Sequence, residues 1–321
     1  MKDIMRDYGR KGYYGIRRAA GHIKSLLGDR GPKLLVLTYH RVLAGRREDP
    51  LRTIVSLKVF LKQIDFLERN FHITGLDEAV KDFSSRRRPA AKTSVVLSFD
   101  DGSIDNYEVV FPILKKRGLP AAFFVSSGYI GSGRPMWDWE VIMKLVHNTA
   151  IDEVDIAGET LRIKKGEARR AFAYRVAGRL KYADSDILKR TVEALASGYD
   201  LKPDRCMEWE QLKKMQDSGM EIGSHAISHR SLARILPEDA GNEIVESKME
   251  LTRRMGRECG YFSFPFGSAL DYNDRLIALV RDSGYRACLL NVHGYNRPSE
   301  GLFSLKRIIM NDDTPYRVKS S

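Results

Sequence analysis

A chain of 321 residues that is 43% hydrophobic and 30% charged can bury a large core, which excludes a generally disordered or low-complexity polymer. The formal charge of +12 suggests an anionic partner, but the basic residues are spread along the chain without a zinc-finger, RNP or basic-zipper pattern, so no specific nucleic-acid partner is predicted. Three cysteines, Cys206, Cys259 and Cys288, without CxxC spacing indicate neither a disulfide framework nor a thiolate zinc site.

Residues 1–31 form a basic N-terminal extension in which Tyr14 to Leu27 has the composition of a short amphipathic helix. Peripheral membrane contact is one reading of it, and a frayed terminus or a helix packed on the outside of the fold is another. No apolar run approaches the roughly 18 residues of a membrane span, and no signal-peptide h-region opens the chain. A cytoplasmic protein, or one peripheral at the inner face of the membrane, is expected.

From residue 32 the pattern is strand and helix in alternation. Leu34 to Tyr39 is an apolar run ending on Tyr39-His40, and Ser56 precedes a helix whose face is Phe60, Ile64 and Leu67. A short strand at Phe71 to Thr74, a helix at Leu76 to Phe83 and a solvated loop at 84–89 follow. Val95 to Phe99 then stops on Asp100-Asp101-Gly102, a helix covers Tyr107 to Arg117, and Ala121 to Val125 is the next strand. About 131–208 breaks the rhythm: it opens with Met136-Trp137-Asp138-Trp139, becomes charged and helical, and is too long for a loop, so it reads as a helical insertion. Strands at Met220 to His225, Tyr261 to Phe264, Arg286 to Leu290 and Leu305 to Met310 resume after it, interleaved with helices to Ser218, at Pro237 to Met255 and at Asn273 to Asp282. Seven or eight such alternations predict a parallel α/β sheet or barrel, in which chemistry sits at the strand C-termini. The remainder, 32–321, is read as one domain.

Two adjacent carboxylates at a strand end repel each other unless something offsets the charge, and a cation is the simplest agent. A turn with an Asx cap is the plainer alternative. His225-Ala-Ile-Ser-His229 places two imidazoles one turn apart, able to face one point, although a helix start with surface histidines would look the same. Two histidines and one carboxylate with an open position make a familiar catalytic metal set, so each motif supplies what the other lacks.

At this point the sequence resembles the polysaccharide deacetylases, metal-dependent enzymes that remove N-acetyl groups from glycans. The similarity lies in SFDDGS at 98–103, SHAISH at 224–229 and FSFPFG at 262–267, with weaker late motifs in GYRACLL and LKRIIM. The opening LTYHRV at 37–42 is similar to the subgroup acting on bacterial exopolysaccharides and sugar conjugates. The match covers roughly 34–130 and 209–310.

The resemblance implies a distorted seven-stranded (β/α) barrel with a helical insertion, and a divalent cation, most simply Zn2+, held by Asp101, His225 and His229. It implies Asp100 as general base and an oxyanion site at Pro265 and Phe266, with an N-acetylated glycan or glycoconjugate as substrate. Two departures stand out. Where many members carry a base-orienting arginine in the third motif this chain has Ser263, and LKRIIM lacks the late histidine that protonates the leaving amine. His293 is the nearest replacement in sequence, with His40 a second candidate at the rim; Tyr39 and Trp137 are further candidates for substrate contact, Trp137 either stacking on sugar or anchoring the insertion. A carbohydrate-binding pseudoenzyme and a deformylase or other non-peptide amide hydrolase remain as alternatives.

Overall fold

The structure is a computed structural model and describes residues 34–45, 53–84, 93–196, 205–312 and 314. The N-terminal extension with its expected helix, and most of the expected loop at 84–89, lie outside these residues. The chain enters through β1 (Leu34–Tyr39) and a small parallel pair, β2 (Arg41–Leu43) and β3 (Ile54–Ser56), followed by α1 (Leu57–Asn70). Next come β4 (His72–Ile73), α2 (Leu76–Ser84), β5 (Ser94–Phe99), a π-helical turn at Asn106–Val110 running into α3 (Phe111–Arg117), and β6 (Ala122–Val125). The insertion contains α4 (Trp137–His147), β7 (Glu153–Ile156), β8 (Glu159–Arg162), α5 (Arg169–Leu180) and α6 (Ser185–Ala196). The chain then runs through α7 (Trp209–Asp217), β9 (Glu221–Ser224), α8 (Pro237–Met255), β10 (Tyr261–Ser263), α9 (Asp274–Asp282), β11 (Ala287–His293) and β12 (Leu305–Ile309).

Seven parallel strands close a barrel in the order β1, β5, β6, β9, β10, β11, β12, with β12 pairing back to β1. The expected distorted (β/α) barrel is therefore present. β4 pairs with the first residues of β5, and β6 pairs with its last. No helix among the described residues is long and apolar enough to cross a membrane.

Side chains alternate across each strand, so every second residue enters the barrel. Leu34, Val36, Val96, Phe124, Tyr261, Leu289 and Leu305 belong to one buried cluster, which Leu76, Val80 and Phe83 of α2 complete. One step further along the strands the same faces turn polar: the hydroxyls of Thr38 and Ser98 lie 2.9 Å apart, followed by His40, Asp100, Ser263 and Arg307. The opposite faces pack under the helices, as when Tyr39 stacks on Phe99 and meets the edge of Phe60.

The insertion is not purely helical as expected. β7 and β8 form an antiparallel hairpin across Ala157-Gly158, both with positive φ, because Val154 and Ile156 alternate with Glu153 and Asp155 at strand period. The insertion has its own core of Trp137, Val141, Leu145, Phe172, Val176 and Leu188. Its exit zips onto the first motif: the amides of Ile104 and Met207 donate to the carbonyls of Arg205 and Gly102, both at 2.9 Å.

At the opposite end of the barrel, Glu221 opens β9 with one oxygen accepting the Asp77 amide at 2.8 Å and the other buried without a partner. Burial pushes its carboxyl up from 4.5 to about 7, against the pull of the Asp77 bond. The folded state then binds more protons than the unfolded chain between these values, so stability falls as pH rises through that window. Glu221→Gln is expected to be more stable than wild type by about 1–3 kcal/mol near pH 8, with the advantage vanishing near pH 4, by thermal unfolding at both pH values.

Candidate active site

The polar layer inside the barrel opens at the C-terminal rim, where three loops converge. β5 ends at Phe99 and runs directly into Asp100, and Asp101 and Gly102 follow in left-handed conformation, with φ of 79° and 81°. Aspartate tolerates that region better than most residues, and Gly102 is required because a Cβ would sit 3.0 Å from both Val125 and Ile130. β9 runs into His225, and the loop to His229 is held from below by Glu243 of α8. The Glu243 carboxylate accepts the amides of Ile227 at 2.7 Å and Ser228 at 2.9 Å, together with the Ser228 hydroxyl. Among the described residues five non-glycine positions have positive φ, and four of them are here: Asp101, Ala226, His229 and Phe266. Strain of about 1–3 kcal/mol at each such position persists only where the surroundings impose it.

Asp101, His225 and His229 form the cluster. Asp101 Oδ1 lies 3.6 Å from His225 Nε2 and 3.4 Å from His229 Nε2, and one ligand atom from each residue falls within 4.8 Å of the others. The carbonyl of Ser263 accepts a 2.7 Å hydrogen bond from His225 Nδ1, which leaves the Nε2 lone pair facing the cluster. Burial pulls His225 down to about 3 and lowers His229 as well, keeping both imidazoles in the neutral, ligating form. Burial pushes Asp101 well above the usual carboxylate range, and the charges of Asp138 and Asp100 add to the shift. Its Oδ1 is buried with no hydrogen-bond partner. A carboxylate whose ionisation is opposed, an orphaned oxygen and two neutral imidazoles form a donor set that suits a divalent cation. Access is from the Asp101 side, since its carboxylate keeps 18% of its surface exposed against 2% and 5% for the histidines.

Asp100 is held differently. One guanidinium nitrogen of Arg307 reaches both of its oxygens, at 2.9 and 2.7 Å, and the Ser263 hydroxyl lies 3.4 Å from Oδ2. Burial would raise this carboxyl, but the charge and hydrogen bonds of Arg307 act against it, and Asp100 is held below the usual range. The two neighbouring aspartates thus differ in kind: Arg307 favours the charged form of Asp100, whereas burial and two nearby carboxylates oppose it in Asp101. Arg307 continues to Asn291 Oδ1 at 2.7 Å, and Asn291 Nδ2 donates to the carbonyl of Phe266 at 2.7 Å. The arginine absent from the third motif is supplied from β12, out of the late motif itself.

The other expected rim residues separate into two groups. His40 follows β1 on the same face as Thr38, and the charges of Asp100 and Arg307 act on it; burial lowers it to about 4, and its Nδ1 is buried without a hydrogen-bond partner. Phe266 also belongs to the site, its ring 4.6 Å from that of His229. Pro265 begins the same turn, closed by a 2.6 Å bond from the Gly267 amide to its carbonyl. His293 lies exposed at the last position of β11, in register with Arg307. Tyr39 is corrected from the substrate rim to the core, because alternation turns it outward between Phe60 and Phe99. Of the two readings of Trp137, the anchor is the one the structure favours: it is 1% exposed and its indole N–H donates to the carbonyl of His229 at 2.9 Å. Two insertion residues that the motifs do not contain also reach the site. Asp138 Oδ2 is 3.6 Å from His229 Nδ1, and the Lys181 ammonium lies 4.1 Å above the Phe266 ring while pairing with Asp271 at 2.8 Å.

A closed parallel barrel with a His-His-Asp cluster and a separately ionised aspartate at its strand C-termini has the architecture of a barrel hydrolase. Residues 87–288 match the sequence model of the polysaccharide deacetylases, and the chain belongs to that family. It is accordingly a hydrolase acting on carbon–nitrogen bonds other than peptide bonds. YxkH of Bacillus subtilis (strain 168), a candidate polysaccharide deacetylase, is 22% identical over 281 residues, spanning 86% of this chain and 71% of YxkH. The poly-beta-1,6-N-acetyl-D-glucosamine N-deacetylase of Staphylococcus epidermidis is 34% identical over 113 residues, 30% of this chain and 37% of that protein. Among solved structures, deacetylase PplD of Streptococcus pyogenes covers 88% of this chain and 94% of its own at 21% identity, with a TM-score of 0.59. IcaB from Ammonifex degensii covers 89% and 94% at the same identity and TM-score. These two likenesses speak for the fold.

Proposed function

We propose that the protein hydrolyses the N-acetyl amide of an N-acetylated sugar in a polysaccharide or glycoconjugate, releasing acetate and a free amine. The observation that carries this reading is the contrast between the two adjacent aspartates, one held ionised by Arg307 and the other joined to two neutral imidazoles. Family membership and the partial similarity to a poly-N-acetylglucosamine deacetylase support the choice of an acetylated amino sugar.

Asp101, His225 and His229 would hold the divalent cation, and a set of two nitrogens and one oxygen favours Zn2+. Bound there, it would polarise the acetyl carbonyl and lower the pKa of water. Asp100 takes the proton of the attacking water, because its charge is maintained in a buried position and it is not needed as a ligand. The turn at Pro265-Phe266-Gly267 offers the Phe266 N–H to the developing oxyanion, with the turn fixed from behind by Asn291. His40 is assigned the transfer to the departing amine of the proton that Asp100 takes from water, since it is unprotonated beforehand and shares the barrel interior with Asp100, whereas His293 sits exposed. Arg307 weighs against a pseudoenzyme by removing one of its two supports, the lack of a base-orienting arginine; the other is the lack of the late histidine.

The test joins metal analysis to acetate release from β-linked N-acetylglucosamine oligomers. Wild type is expected to bind about one Zn2+ per chain and release acetate, and His225→Ala is expected to lose the metal together with the activity. A folded wild type unable to bind a divalent cation, or a metal-loaded one that leaves every oligomer acetylated, would overturn the reading.

A further inference from the structure

We propose that Asp138, on the insertion, is the carboxylate that orients His229 as a ligand, so that the metal centre is completed by a segment outside the barrel. This rests on reading Asp101, His225 and His229 as the cation site. An imidazole presents Nε2 to a cation in a fixed direction only when its Nδ1–H has an acceptor, and outer partners of this kind are part of a metal site's affinity.

The two histidines differ in this respect. His225 Nδ1 already reaches the carbonyl of Ser263 at 2.7 Å, a partner from within the barrel. His229 Nδ1 is buried and has no hydrogen-bond partner. The carboxylate facing it is Asp138, with Oδ2 at 3.6 Å, just beyond hydrogen-bond distance.

Asp138 is well placed to hold that position. Its Oδ1 accepts the Trp139 amide at 3.0 Å, which pins the side chain, and it lies in the first turn of α4, where the helix dipole favours a negative charge. The preceding residue grips the same histidine elsewhere, through the 2.9 Å bond from the Trp137 indole to the His229 carbonyl. Neighbouring side chains of one helical turn therefore address both the backbone and the ring of His229. Asp138 itself stands outside the three-residue ligand cluster, which makes it a positioning residue.

The experiment titrates Zn2+ into metal-free full-length protein in competition with a chromogenic chelator, for wild type, Asp138→Ala, Asp138→Asn, Asp138→Glu and His225→Ala. Asp138→Ala is expected to weaken Zn2+ binding about 10–100-fold, Asp138→Asn less because its amide oxygen still accepts, and Asp138→Glu is expected to recover part of the loss. The unfolding temperature of the metal-free proteins is measured alongside: a packing role alone would lower it, whereas orientation of His229 leaves it near wild type. If Asp138→Ala does not fold, the near-isosteric Asp138→Asn decides. Wild-type affinity in folded Asp138 variants, with His225→Ala unable to bind, overturns this inference and leaves the cation site standing. A wild type that binds no Zn2+ overturns both.

Discussion

Asp100→Asn is expected to retain Zn2+ with affinity within about threefold of wild type while acetate release falls by about 10²–10⁴-fold, the usual worth of a positioned general base. Asp100 Oδ2 stands 3.9 Å from His225 Nε2, and the carboxylate is occupied by Arg307, so the ligand set does not depend on it. An amide of the same shape still accepts from the guanidinium but cannot take a proton from water. The result to look for is therefore a split between metal content, which persists, and turnover, which does not. A residual rate within tenfold of wild type would place the base elsewhere.

Arg307→Met is expected to act on stability and on the pH profile together. Arg307 and Asp100 are both fully buried, and removing one partner of such a pair costs about 3–5 kcal/mol because the other charge is left without compensation. In wild type the depressed Asp100 value adds stability above the ordinary 3.8, which is lost as pH falls through the folded value. Without the guanidinium, burial pushes Asp100 the other way, so the acid limb of the activity profile moves to higher pH. The double variant Arg307→Met/Asp100→Asn is expected to be more stable than Arg307→Met alone, since it leaves no buried charge unpaired. Urea unfolding and pH–rate profiles check the two effects separately. An acid limb that stays in place in the folded variant would mean that Arg307 is not what keeps Asp100 ionised.

What could be read from the sequence follows a physical division. Asp100-Asp101 and the His225/His229 pair were legible because they are local: strand run, turn residues and four-residue spacing all fall within a few positions of one another. Arg307 was not, because its partner is 207 residues away and its neighbour Lys306 makes the pair look like an ordinary basic step in a strand. The usable signal was the alternation with Leu305, which puts Arg307 on the inward face. The same alternation, carried through β1, would have turned Tyr39 outward and kept His40 as the rim residue. Asp138 was hidden between two tryptophans that drew attention to sugar stacking, and Glu243 read as one polar residue on a long helix. Both act across sequence gaps that no local period reports.

The apolar cluster at the lower end of the barrel has a consequence for traffic. Leu34, Val36, Phe124, Leu289 and Leu305, with Phe83 and its neighbours on α2 beneath them, leave the interior closed at that end. Whatever reaches Asp100 comes in past Asp101 and Asp138, and whatever forms there goes out by the same opening. The barrel works as a vessel with one mouth, so arrival of the next substrate waits on departure of the last product.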